Sequence, residues 1–214
     1  MKEEPIKGII FDLDGTLIDS YQAIYLSFQY AYQNMGLHPL PFDEVSKVVG
    51  MGLTRTFHDL LDEERTPEAL RLFRKKYEEV FKQNTHLLPD ARKIVEALHK
   101  KGIKMAVATN KLGRFSRAIF QHLGMEQFFA AIVGDEDVPQ NKPAPGMLLY
   151  AMGKMGTYPE EVIMVGDSLI DIKTAKNAGI RVFAVPSGVT KREVLEQAQP
   201  TVILERLSDL LNYV

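Results

Sequence analysis

The chain has 214 residues, with 26 Lys and Arg against 28 Asp and Glu, for a formal net charge of −2. That balance argues against a polyanion-binding surface, so no nucleic-acid partner is expected. The absence of cysteine removes disulfides, thiolate nucleophiles, Cys-bound zinc and iron–sulfur clusters together. The five histidines are scattered without metal-ligand spacing. No apolar run approaches the ~20 residues that cross a bilayer, and Met1-Lys2-Glu3-Glu4-Pro5 lacks the apolar region of a signal peptide. A cytoplasmic protein with no membrane partner is the expectation.

In chain order, short apolar runs at 6–11, 103–108, 130–133, 162–165, 182–185 and 202–204 read as strands. They are nearly continuous, as strands buried on both faces must be. From residue 89 onward they alternate with helical patterns at 89–101, 114–123, 145–155 and 168–178. Gly102, Gly124, Gly156 and Gly179 punctuate the helix ends. This half predicts a doubly wound parallel α/β sheet, the Rossmann-like class. Residues 19–86 differ: they hold no convincing strand run, and show helical patterns at 20–35, 42–48, 54–61 and 67–82. The division that follows is a core of 1–18 and 87–214, with 19–86 as an all-helical cap. Such a cap sits over the carboxyl ends of the strands, where open α/β sheets bind ligands.

Four segments fall at or just after predicted strand ends. They are Asp12 with Asp14, Thr109-Asn110-Lys111, Lys142-Pro143-Ala144-Pro145, and Gly166-Asp167-Ser168 with Asp171 one turn on. Read singly, each has a plain explanation. Asp12 and Asp14 suit a loop after a strand, Thr109 and Asn110 suit a helix entry, Lys142 suits solvent, and Asp171 suits a helix dipole. Together they crowd Asp12, Asp14, Asp167 and Asp171 at one sheet edge. Two unit charges ~4 Å apart repel by about 4 kcal/mol at an effective dielectric near 20. A divalent cation and Lys142 convert that cost into attraction. Oxygen-only ligands select a hard cation, Mg²⁺ before Zn²⁺. Lys142, the Thr109 hydroxyl and loop N–H groups are phosphate binders. An Asp nucleophile, a second acid and Mg²⁺ imply phosphoryl transfer through an aspartyl-phosphate.

Phe11-Asp12-Leu13-Asp14-Gly15-Thr16, Thr109, Lys142 and Gly166-Asp167-Ser168-Leu169-Ile170-Asp171 occur in that order. On these four motifs the chain resembles the haloacid dehalogenase-like hydrolase superfamily, in its phosphatases with a helical cap, and most the phosphoglycolate phosphatases. The resemblance implies Asp12 as nucleophile and Mg²⁺ ligand, and Asp14 as general acid/base with its main-chain carbonyl on the metal. It implies Thr109, the Asn110 amide and Lys142 on the phosphoryl oxygens. Asp167 becomes a Mg²⁺ ligand, and Asp171 a direct or water-mediated one. The substrate implied is a small phosphorylated metabolite.

An inorganic pyrophosphatase and a β-phosphoglucomutase-type mutase share these motifs; Thr16, where the mutases usually carry Val, leans toward hydrolysis. A non-enzymatic phosphate-binding module has no use for both Asp12 and Asp14. In the cap, Gly50-Met51-Gly52-Leu53-Thr54-Arg55 reads as a loop over the site, with Arg55 a candidate for a substrate carboxylate or a plain surface Arg. Tyr21, Tyr25, Phe28 and Tyr32 recur at helical spacing as cap core, with Tyr21 and Tyr25 near enough in sequence to line an entrance. Arg71, Arg74, Lys75 and Lys76 read as a solvated helix face. The oligomeric state is not encoded in any of these features.

Overall fold

A computed structural model describes residues 5–214; residues 1–4, assigned to the core and lacking signal-peptide character by sequence, lie outside the described part. The strands are β1 (Gly8–Phe11), β2 (Ile18–Asp19), β3 (His86–Leu87), β4 (Lys104–Ala108), β5 (Ala131–Val133), β6 (Val162–Gly166), β7 (Arg181–Ala184) and β8 (Val202–Ile203). Six of them form one sheet in the order β5-β4-β1-β6-β7-β8, and every neighbouring pair is parallel. Successive side chains of β1 point to opposite faces. Ile9 and Phe11 enter one core with Ile94, Leu98, Ile119 and Phe120, while Ile10 enters a second with Met147, Leu148, Ala151 and Ile172. Both faces are therefore covered, which is why the strands read as unbroken apolar runs. The helices on those faces are α5 (Ala91–Lys100), α6 (Gly113–His122), α7 (Gly146–Met155) and α8 (Leu169–Ala178). A further helix, residues 192–197, lies in a stretch for which the sequence carried no assignment.

Because β4 lies on one side of β1 and β6 on the other, the chain reverses its direction of travel beside β1. A crevice opens at the carboxyl ends there. Between β2 and β3 the chain makes four helices, α1 (Tyr21–Asn34), α2 (Phe42–Lys47), α3 (Leu53–Leu60) and α4 (Thr66–Val80). Their core is aromatic: Phe28 lies 4.8 Å from Phe57 and 5.2 Å from Phe73, ring centre to ring centre. Tyr32 joins it, buried, whereas Tyr25 meets Phe42 edge-on at 5.3 Å on the outer side. Tyr77 of α4 meets Phe115 of α6 edge-on at 4.9 Å, a direct contact between cap and core.

One expectation is corrected at the junction. The two ends of the stretch read as strandless, Asp19 and His86, belong to an antiparallel ribbon in which Ile18 pairs with Leu87 and Asp19 with His86. Two residues on each side are too few to leave a period-two signal. This ribbon clamps the two chain crossings of the insert side by side.

Candidate active site

Backbone geometry after β1 aims the first motif. The Asp12 N–H donates to the Val165 carbonyl at 2.8 Å, extending the pairing with β6 by one residue. Gly15 then takes φ of +86°, which only glycine adopts freely. A Cβ there would also stand 2.5 Å from Asp167 and 2.9 Å from the Tyr21 hydroxyl. Tyr21 thus lies at the site, as its nearness in sequence suggested.

Asp12 and Asp14, two residues apart, meet different partners. Lys142 donates to Asp12 Oδ1 and to Asp171 Oδ1, both at 2.7 Å. Asp171 is wholly buried. Its other oxygen accepts from the Ser168 N–H at 3.1 Å and the Ser168 hydroxyl at 2.6 Å, the reciprocal cap that starts α8. Asp167 accepts from the Thr16 hydroxyl at 2.7 Å. Carboxylate oxygens of Asp12, Asp167 and Asp171 all lie within 4.8 Å of one another. Ionised together, the three acids would exceed the one ammonium by two negative charges. An oxygen-only, anionic, buried cluster fits a hard divalent cation.

Electrostatics record the crowding. Burial, then Asp171, push the Asp12 carboxyl up to about 7, against the pull of Lys142. Burial, then Asp12 and Asp171, hold Asp167 well above the ordinary carboxylate range. For Lys142 burial disfavours the charge, but Asp12 and Asp171 outweigh it and the ammonium binds its proton more firmly than a free lysine.

Asp14 stands outside that cluster. It accepts from the Ser20 hydroxyl and from Lys111 Nζ at 2.8 Å. Ser20, which precedes α1, makes no side-chain cap for that helix; its hydroxyl is committed to Asp14. The second and third motifs are tied together by Asn110. Its amide donates to the Lys142 carbonyl at 3.2 Å and to the cap carbonyl of Gly50 at 3.0 Å. Its side-chain oxygen accepts from the Lys142 N–H at 2.9 Å. Thr109, buried at the end of β4, accepts the Lys111 N–H at 3.2 Å.

Cap and core enclose a cavity of about 70 Å³ over this edge. Asp14, Asn110 and Lys111 form its floor, and Phe28, Leu53, Phe73 and Tyr77 are among its walls. Gly50, Gly52 and Leu53 of the predicted cap loop line it; Arg55 does not. Arg55 turns outward, about 60% exposed, and pairs with Asp59 at 3.6 Å. The structure places it on the surface, because the α3 residues that face inward are Thr56 and Phe57.

Four contributors escaped the sequence reading: Lys111, Ser20, Tyr77 and Gly188. Lys111 lay inside the quoted second segment, but nothing in its spacing linked it to Asp14, 97 residues earlier. Gly188 packs so closely that a Cβ would come within 1.8 Å of Asp167. Only the folded chain reveals that approach.

Residues 9–185 match the haloacid dehalogenase-like hydrolase family. A phosphoglycolate phosphatase of Vibrio parahaemolyticus is 33% identical, covering 100% of this chain and 98% of its own. That of Aquifex aeolicus is 35% identical over 96% and 95%. A solved haloacid dehalogenase-like hydrolase from Streptococcus pneumoniae superposes with a TM-score of 0.89 at 25% identity, covering 97% of this chain and 98% of that one. The likeness extends over nearly the whole chain. The chain belongs to the haloacid dehalogenase-like hydrolases and is, within them, a phosphoric monoester hydrolase of the phosphoglycolate phosphatase-like kind.

Proposed function

We propose that the protein is a Mg²⁺-dependent phosphatase that hydrolyses phosphoglycolate, or a small ester close to it, through a phosphoryl group carried on Asp12. In this reading residues 1–18 and 87–214 act as the core, and 19–86 as the cap that encloses the leaving group. Asp12, Asp167 and Asp171 would hold the metal by their carboxylates, and Asp14 by its main-chain carbonyl. Mg²⁺ supplies charge neutralisation between the incoming phosphoryl group and the acids.

The chain's own residues account for the rest. An Asp12 oxygen attacks phosphorus, and the bond from phosphorus to the ester oxygen breaks. Lys142, Thr109 and the Asn110 N–H take the charge on the phosphoryl oxygens. Asp14 gives a proton to the leaving alkoxide, which otherwise departs as a strong base. It then accepts a proton from the water that displaces phosphate from Asp12. The observation that carries the reading is the division of labour between two acids on one strand end. Asp12 is bound into the lysine and carboxylate cluster, while Asp14 faces the cap cavity where a leaving group fits.

The test is phosphate release from phosphoglycolate with Mg²⁺, beside pyrophosphate and β-glucose 1-phosphate. Rapid release from phosphoglycolate, lost in Asp12→Asn and after chelation, supports the reading. Turnover of pyrophosphate alone, or phosphoryl transfer between sugar hydroxyls without net release, replaces it by the pyrophosphatase or mutase alternative.

A further inference from the structure

The cavity over Asp14 has one polar end. Of the residues that line it, Lys111 alone is cationic and Asp14 alone is anionic. The Lys111 side chain is about 8% exposed, with Nζ 2.8 Å from Asp14 Oδ2 and 3.5 Å from the Ser20 hydroxyl. An ammonium carries three donors, so these two acceptors do not saturate it. The same ammonium lies 5.0 Å from the ring centre of Tyr77. The Tyr77 hydroxyl is buried beside Lys111 and Ser20 and makes no hydrogen bond of good geometry to either. A buried hydroxyl without a partner is costly and calls for one. A spare ammonium donor and a phenol without a well-formed hydrogen bond therefore lie together at the polar end of one small, mostly apolar cavity. Both are donors suited to an anion.

From this pairing we propose that Lys111 and the Tyr77 hydroxyl bind a carboxylate on the leaving group, making them the residues that select 2-phosphooxy carboxylates. The inference rests on the phosphatase reading above and deepens it. Geometry sets the length of the leaving group. The ester oxygen must come within about 2.6–3.2 Å of Asp14 to receive its proton, and Lys111 lies 2.8 Å from that same carboxylate. A carboxylate on the carbon next to the ester oxygen spans that interval. At about 70 Å³ the cavity is small, which favours a short leaving group over a long one. Phe28 and Phe73 stand among the cavity walls. The outward Arg55 is not needed for this recognition, since the cation is supplied from the core side.

The experiment compares phosphoglycolate with its uncharged amide, 2-phosphooxyacetamide, and with ethyl phosphate, all in Mg²⁺. Wild type is expected to favour the carboxylate over the amide by about ten- to hundredfold in kcat/KM, the span of a hydrogen bond to a charged group. Lys111→Met should bring that ratio close to one, chiefly through KM for phosphoglycolate. Lys111→Arg should restore part of it, and Tyr77→Phe should reduce it by about three- to tenfold. A wild type indifferent to the carboxylate overturns the proposal. So does a Lys111→Met protein in which all three esters fall by one common factor, since Lys111 then only supports Asp14. If a Lys111 variant fails to fold, the wild-type ratio and Tyr77→Phe decide. Wild type that hydrolyses none of the three overturns the phosphatase reading itself, a result distinct from hydrolysis without preference.

Discussion

Replacing Asp167 by Asn removes one carboxylate from the cluster while keeping an oxygen for the Thr16 hydroxyl, which Asp167 accepts at 2.7 Å. The three acids lie within 4.8 Å of one another, a spacing at which each like-charged pair costs about 3 kcal/mol at an effective dielectric of ~20. Burial and Asp12 already hold Asp167 well above its ordinary range, so part of that charge is quenched by protonation when no metal is bound. The Thr16 bond also weakens once its acceptor is neutral. The net expectation for chelated protein is a gain of about 1–2 kcal/mol, or about 2–8 °C in Tm for a chain of this size. Mg²⁺ should reverse the order. At about a hundred times its Kd, the ion stabilises the wild type by about 2.7 kcal/mol and the two-carboxylate variant far less. The assay is thermal unfolding in chelator and across a Mg²⁺ titration. An Asp167→Asn protein that melts lower than wild type in chelator, or one that gains as much from Mg²⁺, refutes the reasoning that these acids are held together at a cost which a cation relieves. The wild type carries its own control. Asp12 keeps its proton to about 7 when folded against an ordinary 3.8, so the native state binds more protons across that window. Stability of the chelated protein should therefore fall as pH rises from about 4 to about 7.

The same shift means that Mg²⁺ binding at about pH 6 displaces a proton from Asp12. Apparent affinity should rise with pH through about 7; equal calorimetric heats in two buffers of different ionisation enthalpy would contradict this. Asn110→Ala removes the bonds to Gly50 and to both backbone groups of Lys142, and should cost about 2–3 kcal/mol in denaturant unfolding together with tenfold or more in kcat/KM. Gly188→Ala puts a Cβ within 1.8 Å of the Asp167 carboxylate. Relieving that overlap takes a shift of about 1 Å or more at the carboxylate, which predicts about a hundredfold loss of kcat and a weakened Mg²⁺ response in Tm; wild-type values in both would show that the loop yields freely.

Much of the fold was legible in the chain. Strands covered on both faces must be apolar throughout, and helices ended by glycine announce their ends, so the alternation from residue 89 to β7 read correctly to within a residue or two, while the helix at 192–197 went unassigned. The chemical segments were legible for a related reason. Three are runs of neighbours at a strand end, where order along the chain and position in space coincide, and Lys142 lies in the loop between β5 and α7. What failed to show is the set of relations between distant residues. The Ile18–Leu87 ribbon is two residues deep, Ser20 left its helix cap for Asp14, and Arg55 faced outward because α3 turned Thr56 and Phe57 to the core.

The sequence alone determined which groups are available: four acids, a lysine and a threonine at the ends of adjacent parallel strands, with a helical insert above them. Only tertiary structure decided which acid keeps which cation. Lys142 goes to Asp12 and Asp171, and Lys111 to Asp14. Pairing depends on ångström-scale approach and shared burial across 130 and 97 residues of chain, and neither quantity is written in the spacing of letters.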